Sequence, residues 1–343
     1  MRPGCDRPSG PGRDDPSGAV RRPPSLRPVS DSEGTGTDVT AEEDVPPDYP
    51  GARPPDRLRT VDSGGIAIQV HEWGEEAAPP ILLTHGGFDF ARTFSVFAPL
   101  LAAGGLRAVA WDQRGHGDSQ HAPLYSWDAD VRDAVAVLDS IGSDPIPVLG
   151  HSKGGNLMLQ LADACPHRVS YLVNFDGLPG NWAAPDVSDH ERSRMREEEI
   201  RNWLDRRRRA ADASRRPGTL SELARRRADM NPRLSFEWLR YLAGVGARRD
   251  PDGWRWKIDP TLRMGGFGPW RPDWALHRLS ALGMPLLGIV GLQAEQMGMG
   301  VTPESIAAYL PPAARLVAFE DTGHFLHIEQ PERAAALVLE ALT

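Results

Sequence analysis

Ile146-Pro147-Val148-Leu149-Gly150-His151-Ser152-Lys153-Gly154-Gly155-Asn156-Leu157-Met158-Leu159-Gln160 decides how the chain reads. Ile146 to Leu149 is an apolar run with the length of a short buried strand. Gly150-His151-Ser152-Lys153-Gly154 follows without a spacer, and Leu157, Leu159, Leu161 and Ala162 then suit a buried helix. Strand, tight turn and helix form the context in which a G-x-S-x-G motif carries chemistry. The glycines flank a serine forced into a strained conformation, because a side chain at either flank would strike the neighbouring strand or helix. The strain lifts the serine oxygen out of the sheet, above a helix N-terminus whose partial positive charge favours an oxyanion. A glycine-rich strand-to-helix turn with an idle serine has the same letters, so the rest of the chain must decide between them.

With 343 residues, 40% of them hydrophobic, the chain can form one large domain with an insertion or two small domains. Its net charge of −8 gives no case for nucleic-acid or membrane binding. Cys5 and Cys165 are the only cysteines, which argues against a disulfide framework. No Cys/His cluster has zinc spacing, and no apolar run approaches the ~18–20 residues of a membrane span. The N-terminus has no apolar signal core, so the expected location is cytoplasmic. Residues 1–50 are rich in Pro, Gly, Ser, Arg and Asp, and are expected to form a disordered tail because they cannot bury enough apolar surface to offset chain entropy.

Order is expected from Arg57. Leu58–Val61 and Ile66–Val70 alternate around Asp62-Ser63-Gly64-Gly65, a hairpin signal, and His71 continues the second strand. Ile81–Thr84 is a buried strand ending in His85-Gly86-Gly87-Phe88-Asp89, followed by a helix carrying Phe94, Phe97, Leu100 and Leu101. Arg107–Trp111 is the next strand and runs into Asp112-Gln113-Arg114-Gly115-His116-Gly117-Asp118-Ser119. An amphipathic helix with Val131, Ala134, Val135 and Leu138 precedes the serine motif, and Val169–Phe175 is a strand ending at Asp176-Gly177. After a break the rhythm resumes with Pro285–Val290, a helix from Pro303 to Leu310, Arg315–Phe319 and a last helix from Glu332 to Leu342. Strands alternating with helices of this length predict a mostly parallel sheet covered on both faces.

The break, residues 181–282, reads as an insertion with helical runs near 190–215, 219–230 and 234–244. Its tryptophans, Trp182, Trp203, Trp238, Trp254, Trp256, Trp270 and Trp274, are expected mainly to pack between insertion and sheet. The loop Met264–Trp270 is a candidate entrance hinge. The Arg206–Arg209 and Arg225–Arg227 runs lie among acids at helical spacing, so they read as solvated helix faces rather than a nucleic-acid surface.

With these residues in view the chain resembles the α/β-hydrolase family. The likeness covers residues 57–180 and 283–343, with residues 181–282 in the position of that family's cap or lid, inserted after the sixth strand. Four motifs recur in the family's order: His85-Gly86-Gly87 after the third strand, Asp112–Ser119 after the fourth, Gly150–Gly154 after the fifth and Gly323-His324 after the last. The resemblance implies a central mostly parallel sheet with helices on both faces and a Ser-His-acid triad.

Ser152 is the expected nucleophile, and a serine needs a base to take its proton. His324 is the expected base, in a loop after the terminal strand, with His327 as a competitor. His151 is adjacent to the serine, but neighbours on a sharp turn point apart. His85, His116 and His121 read as loop or pocket residues. The oxyanion hole is expected from the backbone N–H of Lys153 together with that of Gly87 or Phe88. The acid is the irregular element. Family members carry Asp shortly after the strand that here ends at Val290, where this chain has Ala294 followed by Glu295. Glu295 is the first choice, and Asp176, after the preceding strand, is the alternative.

A serine at this turn separates the chain from the haloalkane dehalogenase and epoxide hydrolase relatives, which carry aspartate there. It favours acyl transfer to water, with an apolar small-molecule ester as the leading substrate class. Carbon–carbon bond hydrolysis, thioester cleavage and amide cleavage are adjacent chemistries, and a binding protein without turnover is the reading from another class. No cofactor or metal is required by any of them.

Overall fold

The computed structural model describes residues 45–180, 189–210, 214–262, 272–298 and 300–343, with side chains left undescribed for parts of 189–199 and for 272–274. In chain order the strands are β1 (Arg57–Asp62), β2 (Ala67–Trp73), β3 (Pro80–Thr84), β4 (Arg107–Trp111), β5 (Ile146–His151), β6 (Val169–Phe175), β7 (Ala247–Asp250), β8 (Gly253–Trp256), β9 (Leu286–Gly291) and β10 (Ala314–Phe319). The helices are α1 (Phe97–Ala103), α2 (Trp127–Ile141), α3 (Lys153–Ala164), α4 (Asp189–Ala210), α5 (Leu220–Ala228), α6 (Phe236–Gly246), α7 (Pro272–Leu279), α8 (Pro303–Ile306), α9 (Leu326–Glu329) and α10 (Pro331–Leu342).

Eight strands form one sheet in the order β1-β2-β4-β3-β5-β6-β9-β10. β2 runs antiparallel to both its neighbours, and β4, β3, β5, β6, β9 and β10 are mutually parallel. The strand sequences explain why both faces are covered. Leu82, Val109, Val148, Leu172 and Leu286 join one apolar cluster, while Ile81, Leu83, Ala110, Leu149, Val173 and Leu287 join a second. Alternate residues of a strand face opposite sides, so a strand apolar at every position needs helices on both. α2, α3 and α7 cover the first face with residues such as Val137, Leu157, Leu161 and Leu276. α1 and α10 cover the second with Phe97, Leu101, Ala334 and Val338.

The segment between β6 and β9 differs from the sequence expectation in three ways. It is not wholly helical, since β7 and β8 pair as an antiparallel hairpin with Ala247 opposite Trp256. Its last part belongs to the core rather than to an insertion running to residue 282, because Ala275, Leu276 and Leu279 of α7 bury against the α3 side of the sheet. Arg227 is not on a solvated face. Its Nη1 donates to the Phe88 carbonyl at 2.8 Å. The segment docks on the loop after β4, where the Asp259 amide donates to Gly115 O at 2.8 Å and the Tyr125 hydroxyl to Asp259 Oδ2 at 2.5 Å.

The expected tail also ends earlier than residue 50. Tyr49 packs on Trp238 and Tyr241 of α6, with ring centroids 5.0 and 6.1 Å apart. Residues 1–44, Trp182 and the Met264–Trp270 loop lie outside the described residues.

Candidate active site

Ser152 follows β5 directly and precedes α3, with φ 54° and ψ −121°. The two flanking glycines permit this turn. A Cβ on Gly150 would lie 2.2 Å from the Gly154 carbonyl oxygen, and one on Gly154 would lie 2.3 Å from the Thr84 carbonyl oxygen. Among the described residues, three non-glycine positions have positive φ: Phe88 at 56°, Ser152 at 54° and Asp176 at 43°. Each such position costs on the order of 1–3 kcal/mol, and strain of this kind persists where surrounding contacts over-determine it. All three follow the ends of adjacent central strands, β3, β5 and β6, so the strain is concentrated in one place.

The His324 imidazole meets Asp176 there. His324 Nδ1 lies 2.5 Å from Asp176 Oδ2, with both side chains buried. Its other ring nitrogen is left for the cavity that His324 and Ser152 both line. Glu295, the first choice from the sequence, does not reach the imidazole. Its Oε2 instead accepts the backbone N–H of His324 at 2.7 Å. The reason is topological. β6 is hydrogen-bonded to β5 and lies between it and β9, so the residue after β6 is nearer the serine than the loop after β9 is. The Asp176 amide is fixed by Ile289 O at 2.8 Å. Burial holds the Glu295 carboxyl above its usual range. Glu329 Oε1 accepts the Gly323 amide at 3.0 Å, and Arg233 joins Glu329 to the Asp321 carbonyl. The histidine loop is thus held by carboxylates on its backbone and by Asp176 on its ring.

His327 is buried away from the serine, with Nε2 3.1 Å from Thr93 Oγ1. His151 does not simply point away. It lines the cavity, packs on His324 with centroids 4.6 Å apart, and its Nε2 donates to the His324 carbonyl at 2.8 Å. Burial lowers the pKa of both rings, that of His327 to about 3. Both are therefore neutral in the folded protein. Below about pH 6.5 the unfolded chain binds protons that these rings refuse, so the stability they confer is lost as pH falls. The melting temperature should drop between pH 7.5 and 5, and less steeply in His327→Gln. Parallel curves for the two proteins would contradict this account.

The loop that carries Gly87 and Phe88 is fixed from β4. The Gln113 amide donates to His85 Nε2 at 3.0 Å, which puts the ring proton on Nδ1, and that nitrogen donates to Gly86 O at 2.7 Å. Asp112 accepts the Ala91 amide at 2.6 Å and the Asp118 amide at 2.8 Å. Arg114 grips Asp133 through two bonds of 2.6 and 2.7 Å. The Asp112–Ser119 motif is thus a brace for the Gly87-Phe88 turn. Among the described residues no acceptor takes the amides of Gly87, Phe88 or Lys153. The Lys153 side chain has a structural engagement, with Nζ 2.6 Å from both Gln113 Oε1 and Asp130 Oδ2.

The cavity above Ser152 has a volume of about 240 Å³. Phe88, Met230, Trp256, Ile258, Met297 and Phe325 give it apolar walls, and Arg215, Arg227 and Asp89 add charge that the sequence did not foretell. Met230, Trp256 and Ile258 come from the segment between β6 and β9, so that segment roofs the site. Of the tryptophans placed there, Trp238 is core and Trp256 is cavity wall.

A model of the alpha/beta hydrolase family matches residues 81–337. The chain belongs to the α/β-hydrolase family. A serine hydrolase-like protein of Dictyostelium discoideum is 34% identical over 117 residues, which are 33% of this chain and 32% of that protein. A serine hydrolase-like protein of Danio rerio is 26% identical over 277 residues, 79% of this chain and 83% of that one. The thioesterase domain from the curacin biosynthetic pathway superposes with a TM-score of 0.69 at 23% identity, covering 83% of this chain and 99% of its own. Matches to the first curated relatives span 32%, 35% and 57% of their own lengths. Lipases are among the relatives that the chain matches in part. No helix among the described residues is long and apolar enough to cross a membrane.

Proposed function

We propose that this α/β hydrolase is a serine hydrolase that transfers an acyl group to water through Ser152, His324 and Asp176, with an ester as its leading substrate class. The observation that carries this reading is the 2.5 Å contact between His324 Nδ1 and Asp176, beside a strained serine on the same cavity. Asp176 keeps the imidazole in the tautomer that leaves Nε2 free to accept a proton, and stabilises the cation that results. Ser152 Oγ attacks the acyl carbon as its proton passes to His324. The bond to the leaving alcohol breaks as His324 returns that proton. Water then attacks the acyl-enzyme, giving its proton to His324, and the acid leaves with Ser152 restored. The amides of Lys153 and of Gly87 or Phe88 receive the oxyanion, and each such donor is worth about 2.7–4 kcal/mol in the barrier.

The segment between β6 and β9 serves as the cap, excluding water and supplying apolar surface to the acyl part. The contact of Asp176 with His324 favours turnover over a binding protein on the same scaffold. The same machinery would cleave a thioester or a carbon–carbon bond, so the substrate panel must include them. The test is fluorophosphonate labelling with hydrolysis of p-nitrophenyl esters of increasing acyl length. Labelling and turnover that disappear in Ser152→Ala are the expected result. A wild-type protein that neither labels nor turns over any member overturns the proposal.

A further inference from the structure

Two cavities meet at Arg215. The one above Ser152 shares Arg215, Trp256 and Ile258 with a second, of about 480 Å³, to which Arg207 and Arg248 also contribute. Arg215 is positioned by backbone carbonyls. Its Nε donates to Ile258 O at 3.2 Å and its Nη2 to Asp259 O at 2.8 Å, while the guanidinium lies over Phe88 with its carbon 6.0 Å from the ring centroid. Carbonyls orient the fork but leave its charge standing. Arg114, Arg255 and Arg278 each sit on an aspartate, which raises their pKa, whereas burial lowers that of Arg215 and the charge of Asp259 only partly offsets it.

Arg207 is held in the same manner, with Nη1 donating to Ala122 O at 3.2 Å and the guanidinium over the Trp203 ring. Among the described residues no carboxylate lies within ion-pair distance of Arg207 or Arg215. Asp259 is the carboxylate of the cavity wall, and its oxygens already take the Tyr125 hydroxyl and the Thr261 amide and hydroxyl, with His121 Nδ1 3.5 Å away. Arg248 is paired with Asp250 and adds less. Two half-buried cations, oriented by backbone and, among the described residues, outside ion-pair distance of any carboxylate, make a preorganised receptor for an oxyanion.

We infer that the molecule cleaved at Ser152 carries an oxyanion, a carboxylate or a phosphate, and that the second cavity receives it with Arg215 and Arg207 as donors. The inference rests on the hydrolase reading for the bond cleaved, but not for the anion site. The apolar walls above Ser152 hold the acyl part, and Arg215, shared by both cavities, sets the distance from the scissile bond to the charged end.

The test begins with equilibrium binding, which needs no turnover. The full chain is titrated with phosphopantetheine against pantetheine and with pentanoate against pentanamide, followed by calorimetry and by tryptophan fluorescence, at low and high salt. The charged member of at least one pair should bind about tenfold or more tightly, as charge-assisted bonds provide, and salt should erode the difference. The pair that responds tells phosphate from carboxylate. Arg215→Met and Arg207→Met should each remove most of the preference, and Arg215→Lys should keep part of it if the methionine variant fails to fold. Equal binding within both pairs, or a preference that survives both arginine substitutions, overturns the inference. Matched neutral and anionic esters are then compared by kcat/KM. Anion binding without any turnover leaves this site standing and removes the hydrolase reading. Turnover that ignores the charge does the reverse.

Discussion

Asp176→Asn is expected to lower kcat by about 10⁴-fold, and Glu295→Gln by about tenfold or less. Asp176 touches the imidazole and, in the proposed mechanism, sets its tautomer. An asparagine there presents either a donor to a nitrogen that should itself donate, or an uncharged acceptor. Glu295 touches only the backbone N–H of His324, so its removal loosens the loop without changing the ring's protonation. Its Gln variant should lose thermal stability in proportion to its loss of rate, which the Asp176 variant should not. Steady-state kinetics on a p-nitrophenyl ester, read beside melting temperatures, checks both. A larger loss in Glu295→Gln than in Asp176→Asn would return the acid to the loop after β9.

Gly150→Ala should cost about 3 kcal/mol or more of stability and abolish labelling of Ser152 in whatever protein remains folded. The added Cβ would sit 2.2 Å from the carbonyl oxygen of Gly154 and 2.6 Å from the amide nitrogen of Gly155, both backbone atoms at the start of α3. A side chain can swing aside, but a helix terminus packed on β3 cannot move without displacing Ser152 and the Lys153 amide together. A single methyl is therefore expected to do more harm here than the removal of a large core side chain from the far end of the sheet. Urea denaturation and fluorophosphonate labelling are the measurements. A Gly150→Ala protein with wild-type stability and labelling would show that the flanking glycine is dispensable.

Much of this molecule could be read without coordinates. Each of the eight strands of the main sheet was legible, the first two from alternation around a hairpin turn and the inner ones because strands apolar on both faces leave runs such as Ile81–Thr84 and Val169–Phe175 that few other environments tolerate. The turn at Ser152 was legible from its glycines, and the structure brings His324, proposed from its place after the last strand, to the same cavity. The hairpin of β7 and β8 was not. Its strands are four residues each, and Ala-Arg-Arg-Asp and Gly-Trp-Arg-Trp carry no alternation long enough to tell from loop. Nor was α7 separable from the insertion, since its apolar stripe does not say which surface it covers.

What the sequence by itself determined was the order of elements, the strained serine turn and the set of carboxylates from which an acid could be drawn. A local pattern suffices for these, because periodicity and glycine placement act over a few residues. The tertiary structure decided which of those carboxylates meets His324, that Arg227 turns inward to Phe88, and that Arg215 stands between two cavities. Each of these depends on distances between residues far apart in the chain. Strand order in the sheet, with β6 beside β5, puts Asp176 next to Ser152, and no spacing along the sequence contains that adjacency.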